Sequence, residues 1–318
     1  MAVLHDNCPL CGGAASPRYR PVDAKGVEWR IDRCASCGLG FLNPMLEGEE
    51  LDPFYSDEYY GPGRHRFSGV AEGFIPLFRK ARAMRIKRLM PEGGAILDVG
   101  CGRGLMLAEL KKQGYRAVGA ERSDPAAEAA REAGVEVHAG DVDKIDLPAR
   151  SFDMVTFWQV LEHLERPLEA VKVVTRALKP GGRILVQVPD LDGFQAKLGG
   201  DRWFHLDPPR HLWHFNLKSL DLLLSKAGLK REKLGHLSVE YGPFGMMQSL
   251  LKMTGMRRDL FFDLLMSRDP KTLIPSATAR AALWAAAAVL GPISFAADLI
   301  ASALKAGSVI EAVYAEQG

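Results

Sequence analysis

The stretch Ala95-Ile96-Leu97-Asp98-Val99-Gly100-Cys101-Gly102-Arg103-Gly104 constrains this chain more than any other. A short apolar run reads as a buried strand, and a glycine-rich turn follows it directly. Leu105 to Lys112 then places apolar residues at helical spacing, so the segment is predicted as strand, tight turn, helix. Glycines at 100, 102 and 104 let the backbone take positive φ and approach a ligand with no Cβ in the way. A helix starting there directs free N–H groups into the crevice at the carboxyl ends of a parallel sheet, where doubly wound folds bind ligands. The glycine loop alone leaves a nicotinamide dinucleotide as a rival ligand. Asp98 separates the two readings, because an acid inside the strand suits a ligand with a cationic amine better than a pyrophosphate.

Two more acids follow at comparable places. Tyr115 to Glu121 reads as a second strand ending in a carboxylate, a position that in doubly wound folds faces a ribose. Pro125 to Ala133 is the next helix, with proline in its first turn. Val135 to Asp141 is a third strand, Met154 to Trp158 a fourth, and Arg183 to Val188 a fifth after the turn Lys179-Pro180-Gly181-Gly182. Acids at 98, 121 and 141, each at or near a strand end, are the most specific pattern in the chain.

The run Asp98-x-Gly100-x-Gly102-x-Gly104 resembles motif I of class I S-adenosylmethionine-dependent methyltransferases. Gln159-Val160-Leu161-Glu162-His163-Leu164 resembles the segment beneath the methionine part of the cofactor in the ubiquinone-type branch. His205 to Phe215 resembles the histidine–proline–histidine–phenylalanine signature of Methyltransf_23-like proteins. The resemblance implies an α/β fold, a Rossmann-like doubly wound seven-stranded sheet with its last strand antiparallel, and S-adenosyl-L-methionine as cofactor. It places Glu121 on the ribose and Asp141 on the adenine amine, with the Val142 backbone amide beside it. Gly100, Cys101, Gly102, Gly104, Arg122, Trp158 and Gln159 complete the implied cofactor site. Some relatives hold a divalent ion with two glutamates and the histidine of this segment. Gln159 stands where the first glutamate would be, so no metal is expected there, and His163 reads as either a structural or a catalytic residue.

Cys8-Pro9-Leu10-Cys11-Gly12 and Cys34-Ala35-Ser36-Cys37-Gly38 read as two zinc knuckles. Each CxxC brings two thiolates to one side of a tight turn, and two such turns complete a tetrahedral set near zinc-ribbon spacing. Redox dithiols are the alternative. With four cysteine ligands no coordination position stays open, so a zinc held by Cys8, Cys11, Cys34 and Cys37 is expected to be structural, in a ribbon over residues 1–45. The ribbon's basic residues alternate with acids and apolar residues, so nucleic acid is not the expected partner. Residues 46–73 read as a linker, with the aromatic and acidic run Phe54 to Tyr60 as a hinge plug or as a lid that contributes Tyr59 or Tyr60 to the active site. The helix expected over Phe74 to Met90 carries Arg79, Lys80, Arg82, Arg85, Lys87 and Arg88, either a solvated face or one suited to an anionic membrane surface or a phosphate-bearing acceptor.

On the acceptor side, Trp203 to Phe215 gathers three histidines, an arginine and two tryptophans. Histidine can accept a proton near neutrality, so His205 or His211 is the expected base and Arg210 the expected clamp for an anionic acceptor. A hydroxyl acceptor requires such a base; a carboxylate or tertiary amine does not.

The methyltransferase domain is expected over 74–241 and 308–318, interrupted by a hydrophobic helical insertion at 242–307. Ala281 to Ala297 has no charge. A spanning helix needs roughly 20 apolar residues, and Asp298 with the Gly291-Pro292 break argues for a re-entrant or interfacial helical hairpin instead. Membrane-surface association through 281–297 fits a lipid-linked acceptor; a cap over the acceptor pocket or a homodimer contact is the alternative. Among 318 residues, 47% hydrophobic and 25% charged with a net charge of +2, nothing points to a polyanion partner. The first residues lack a secretory h-region, and the CxxC pairs suit a reducing compartment. The expected location is cytoplasmic, with peripheral contact at the inner face of the membrane. The functions weighed are methyl transfer to a small or lipid-like molecule, an RNA methyltransferase recognising its substrate through the ribbon, and a non-catalytic S-adenosylmethionine-binding protein.

Overall fold

A computed structural model describes residues 2–54, 70–256, 259–266 and 270–317. Tyr59, Tyr60 and the basic pair Arg257-Arg258 lie outside the described residues. The chain divides into two compact units, each assembled from three separate segments. In chain order the strands are β1 (Ala15–Tyr19), β2 (Ile31–Cys34), β3 (Gly40–Leu42), β4 (Ala95–Val99), β5 (Arg116–Glu121) and β6 (Glu136–Ala139). They continue with β7 (Phe152–Trp158), β8 (Leu178–Pro189), β9 (Trp213–His214), β10 (Leu229–Gly235) and β11 (Val309–Glu316).

One unit comprises Pro76–Val188, Ser219–Leu234 and Glu311–Gly318, and its centre is a seven-stranded sheet in the order β10-β11-β8-β7-β4-β5-β6. β4 pairs parallel with β5 and β7, and the last strand, β11, is antiparallel. All five residues of β4 are buried, as in a parallel sheet covered on both faces. The strand order reverses between β4 and β7, which makes the loops after them the topological switch point. Helices Leu105–Lys112, Asp124–Glu132 and Pro167–Ala177 turn an apolar stripe to the sheet. The second starts on Ser123, whose Oγ accepts the Ala126 N–H at 3.4 Å, with Pro125 in its first turn. Ile96, Met154, Leu185 and Val313 from four strands meet Ile86, Leu107 and Leu110 in the core.

The helix expected over Phe74 to Met90 runs Val70–Lys87. Three of its cations are engaged within the unit: the Arg82 guanidinium lies 5.2 Å from the Trp158 ring centre, Arg85 pairs with Glu311 at 2.7 Å, and Lys87 donates to Gln113.

The other unit comprises Met1–Ile75, Pro189–Lys218 and Gly235–Ile310. Its sheet is antiparallel in the order β1-β2-β3-β9. The fourth strand comes from the histidine-rich segment: Gly40 faces His214 and Phe41 faces Trp213. The insertion folds as helices Gly242–Met253, Leu260–Met266, Pro270–Leu273 and Ala277–Ala303. The first, second and fourth bury Met247, Leu251, Phe261, Leu264, Leu283 and Ala287 together. The interruption expected at Gly291-Pro292 does not occur; one 27-residue helix runs through it, long and apolar enough to cross a membrane.

Candidate cofactor site and cysteine cluster

The glycine loop is shaped by its backbone. Gly100, Gly102 and Gly104 have φ of 68°, 55° and 64°, the region closed to most side chains. A Cβ on Gly100 would strike Val160, and one on Gly104 would lie 2.9 Å from the Ala130 methyl. One on Gly102 would meet nothing within 4 Å, so that glycine is required by its conformation and leaves open space over the loop. The loop is tied to the end of β5: Gly100 and Cys101 N–H both donate to the Ala120 carbonyl, and Gly102 N–H donates to Glu121 Oε2 at 2.8 Å.

Asp98 sits in β4 at 6% exposure, and its Oδ1 accepts the Thr156 hydroxyl at 2.6 Å. Thr156 is its register partner on β7, the polar residue in that strand whose role the sequence pattern left unassigned. Burial pushes the Asp98 carboxyl up to about 7, against the opposing pull of Thr156 and of the Arg82 charge. Burial also raises Glu121, offset by backbone N–H groups including those of Ser123 and Gly102. Burial raises the Cys101 thiol as well, with Asp98 and Glu121 adding to the effect, so it stays protonated at neutral pH. Asp141 follows β6, half-buried, paired with Arg122 at 3.3 Å and Lys144 at 2.7 Å; Arg122 also reaches Glu165 at 3.8 Å. Val142 beside it is buried.

At the end of β7, Gln159 holds a left-handed backbone with φ of 54°, and its N–H donates to Gln187 O. That is a strained conformation for a non-glycine residue and a common one at ligand sites. Trp158 Nε1 and Gln159 Nε2 are buried donors with no hydrogen-bond partner among the described residues. Donors left open beside a left-handed turn and a loop with unfilled space are what a bound polar ligand would satisfy. The donor and acceptor set fits S-adenosylmethionine: one acid for an ammonium, one for vicinal hydroxyls, one for an aromatic amine. His163 closes the short turn Leu161–His163 that follows.

The histidine-rich segment belongs to the other unit. His205 is buried between Trp203 and Phe204, its ring 5.6 and 5.2 Å from theirs, and Gly245 is the residue whose missing Cβ makes room for it. Burial pushes His205 and His214 down to about 4, so both are neutral at physiological pH. His214 Nε2 contacts the Leu206 carbonyl at 2.9 Å, which fixes the proton on that nitrogen. His211 Nδ1 lies 2.8 Å from the His205 carbonyl and must donate to it, leaving Nε2 as the basic nitrogen, 3.9 Å from Asp207 Oδ2. Arg210 grips the same Asp207 with two nitrogens at 3.0 and 2.5 Å.

Cys8, Cys11, Cys34 and Cys37 converge, with all four sulfurs within 4.8 Å of one another. Gly12 and Gly38 take φ of 73° and 77° and donate to the carbonyls of Cys8 and Cys34, the turn each CxxC requires. Cys37 N–H donates to Cys34 Sγ at 3.4 Å. Four sulfurs at this spacing, supported by a backbone donor, fit a tetrahedral soft-metal site.

Comparison with known proteins agrees with this geometry. Residues 76–234, half of the chain, match the family model Methyltransf_23, described as a methyltransferase domain. The ubiquinone biosynthesis O-methyltransferase of Xanthomonas axonopodis pv. citri is 34% identical over 106 residues, 31% of this chain and 44% of that protein. Its counterpart in Alkalilimnicola ehrlichii is 37% identical over 101 residues, 30% of this chain and 41% of that protein. The chain thus spans less than half the length of these curated relatives. Among solved structures, a Thermotoga maritima S-adenosylmethionine-dependent methyltransferase, described as a possible histamine N-methyltransferase, is 26% identical. It covers 52% of this chain and 78% of its own, with a TM-score of 0.42. By its family match, its strand order and its glycine loop, the chain belongs to the Methyltransf_23 family of class I S-adenosylmethionine-dependent methyltransferases.

Proposed function

We propose that the chain methylates a small or lipid-like acceptor, at oxygen, with a histidine as base. The observation that carries the reading is the alignment of Asp98, Glu121 and Asp141 at or just beyond the ends of the neighbouring strands β4, β5 and β6, beside a glycine loop with open space above it. S-adenosylmethionine, when bound, supplies a methyl group activated on a sulfonium. The chain's own residues bind and orient. Asp98 takes the ammonium, Glu121 the ribose hydroxyls, and Asp141 the adenine amine together with the Val142 N–H. Gln159 and Trp158 offer their open donors. Transfer to an aligned oxygen needs positioning more than further chemistry. The base we assign is His211, because its Nδ1–H is committed to a carbonyl and its Nε2 has Asp207 nearby to stabilise the imidazolium. We also assign one structural zinc ion to Cys8, Cys11, Cys34 and Cys37.

Calorimetry and a tritiated-methyl transfer assay on lipid and small-molecule extracts test this reading. Asp141→Ala should weaken S-adenosylmethionine binding at least tenfold with the fold retained; unaltered affinity removes Asp141 from the adenine site. His211→Gln should leave cofactor affinity in place and lower kcat by about 10²–10⁴ at neutral pH. Equal turnover by the two proteins would discard His211 as the base.

A further inference from the structure

The helix Ala277–Ala303 buries only a narrow stripe. Leu283, Ala287, Ser294, Asp298 and Ala301 face inward, while Trp284, Val289, Ile293, Phe295, Leu299 and Ile300 are exposed, Val289 at 62% and Ile293 at 53%. From Ala281 to Ala297 the outward positions carry no polar group except the Trp284 indole N–H, since the one hydroxyl there, Ser294, is buried. The same apolar character continues on two other segments held against the end of this helix. Phe194 N–H donates to the Ala306 carbonyl, and Ser302 Oγ donates to the His236 carbonyl. These bonds bring exposed Phe194, Leu237 and Leu304 (74%) into the region of the helix's last turns.

Exposed charge on the helix and its flanking turns has one sign. Between Pro270 and Ser308 the cations are Lys271, Arg280 and Lys305, and the single carboxylate, Asp298, is 1% exposed. Asp298 Oδ1 instead accepts from Gln195 Nε2 at 2.9 Å, and that nitrogen also donates to the Gly242 carbonyl at 2.7 Å. The helix is therefore anchored along its length by apolar packing and near its end by a buried polar tie. Crossing a bilayer would break both, so it is built to lie flat.

We propose that this face docks on the surface of an anionic lipid bilayer, with the helix parallel to the membrane plane. Protein interfaces carry about one hydrogen bond per 100–200 Å² of contact, and a face about 25 Å long whose one exposed polar side-chain group over 17 residues is the Trp284 indole N–H offers little of that complement. Hydrocarbon asks for none. The exposed Trp284 indole and the flanking lysines suit the headgroup layer. The inference goes beyond the methyl-transfer reading and does not depend on it.

The test is flotation of the full chain with vesicles of phosphatidylcholine alone and of phosphatidylcholine with 30% phosphatidylglycerol. The wild-type protein should float with the anionic vesicles, and less with the neutral ones. Val289→Glu with Ile293→Glu, both at exposed positions, should lower the bound fraction on the order of 100-fold with circular dichroism unchanged. Lys271→Glu with Lys305→Glu should remove the preference for anionic lipid. Failure of the wild-type protein to float overturns the proposal, as does equal flotation of the Val289/Ile293 variant. A wild-type dimer that this variant converts to monomer, with no flotation by either, assigns the face to a second copy instead. Cofactor affinity measured on the same samples reports separately on the methyltransferase reading.

Discussion

Asp98 illustrates how a single buried carboxyl can set the pH response of a binding site. Its ordinary value lies near 4, and burial raises it to about 7 in the folded protein. A carboxyl raised in this way contributes most to stability below pH 4, where it is neutral in both states. That contribution is lost as pH rises through 7 and the folded protein must bury a charge. A ligand ammonium beside it reverses the preference by stabilising the ionised form, so binding releases a proton below pH 7. S-adenosylmethionine affinity should accordingly increase by up to tenfold per pH unit from pH 5.5 to about 7 and then level off. Asp98→Asn should flatten this profile, bind weakly throughout, and raise the melting temperature of the free protein at pH 8. Calorimetry across pH and thermal melts check the pair, and a wild-type affinity independent of pH would contradict the role given to Asp98. The register with Thr156 explains why the acid is tolerated at all, since the hydroxyl satisfies one oxygen in an otherwise apolar strand.

At the scale of elements, the ribbon and the histidine-rich segment share one sheet. β3 pairs with β9, Leu42 N–H donates to the Leu212 carbonyl, and Leu191 N–H donates to the Phe215 carbonyl. Arg33 and Asn216 both bind Asp192, which ties the ribbon to the segment after β8. Zinc removal should therefore loosen more than the four-cysteine turns. Freshly purified protein should carry one zinc per chain. Chelation should lower the melting temperature and speed hydrogen exchange at Phe41 and Trp213 well before that of β4. Protein that never contained zinc and has the same melting point would remove the structural metal.

The CxxC pairs and their glycines were legible because a metal site needs fixed ligands at short spacing, and β4 with its loop was legible because apolar run, glycines and helical period coincide. β9 was not. A two-residue strand has no period to detect, and its partner lies some 170 residues away. The continuous helix was missed for another reason: Gly291-Pro292 costs about 3 kcal/mol in a helix interior. The alanine-rich flanks and the hydrogen bond from Gln195 to Asp298 after the proline offset that cost.

For the whole molecule, connectivity matters more than any one contact. Each unit draws on three stretches of chain, so neither is a contiguous piece that folds as it leaves the ribosome. The sheet is complete only when β11 enters between β8 and β10, although 73 residues separate β10 from β11. β11 is the most buried strand the C-terminal part supplies: Val309, Ile310, Ala312, Val313 and Tyr314 are all at 1% exposure or less. Tyr314 also donates its hydroxyl to Asp221 at 2.9 Å, where Arg231 holds the same carboxylate. Losing four large side chains from the core at ~1.5–3 kcal/mol each amounts to roughly 6–12 kcal/mol, comparable to the entire stability of a typical domain. It would also leave facing edges of β8 and β10 unpaired. Truncation after Gly307 should therefore yield aggregated protein without cooperative unfolding, even though the glycine loop and its three acids remain in the chain. A milder change, Tyr314→Phe, removes only the hydroxyl and should keep the fold at a cost of about 1–2 kcal/mol. Denaturant titration of both distinguishes the cases. A truncated chain that melts cooperatively and binds S-adenosylmethionine would show that the sheet closes without its last strand.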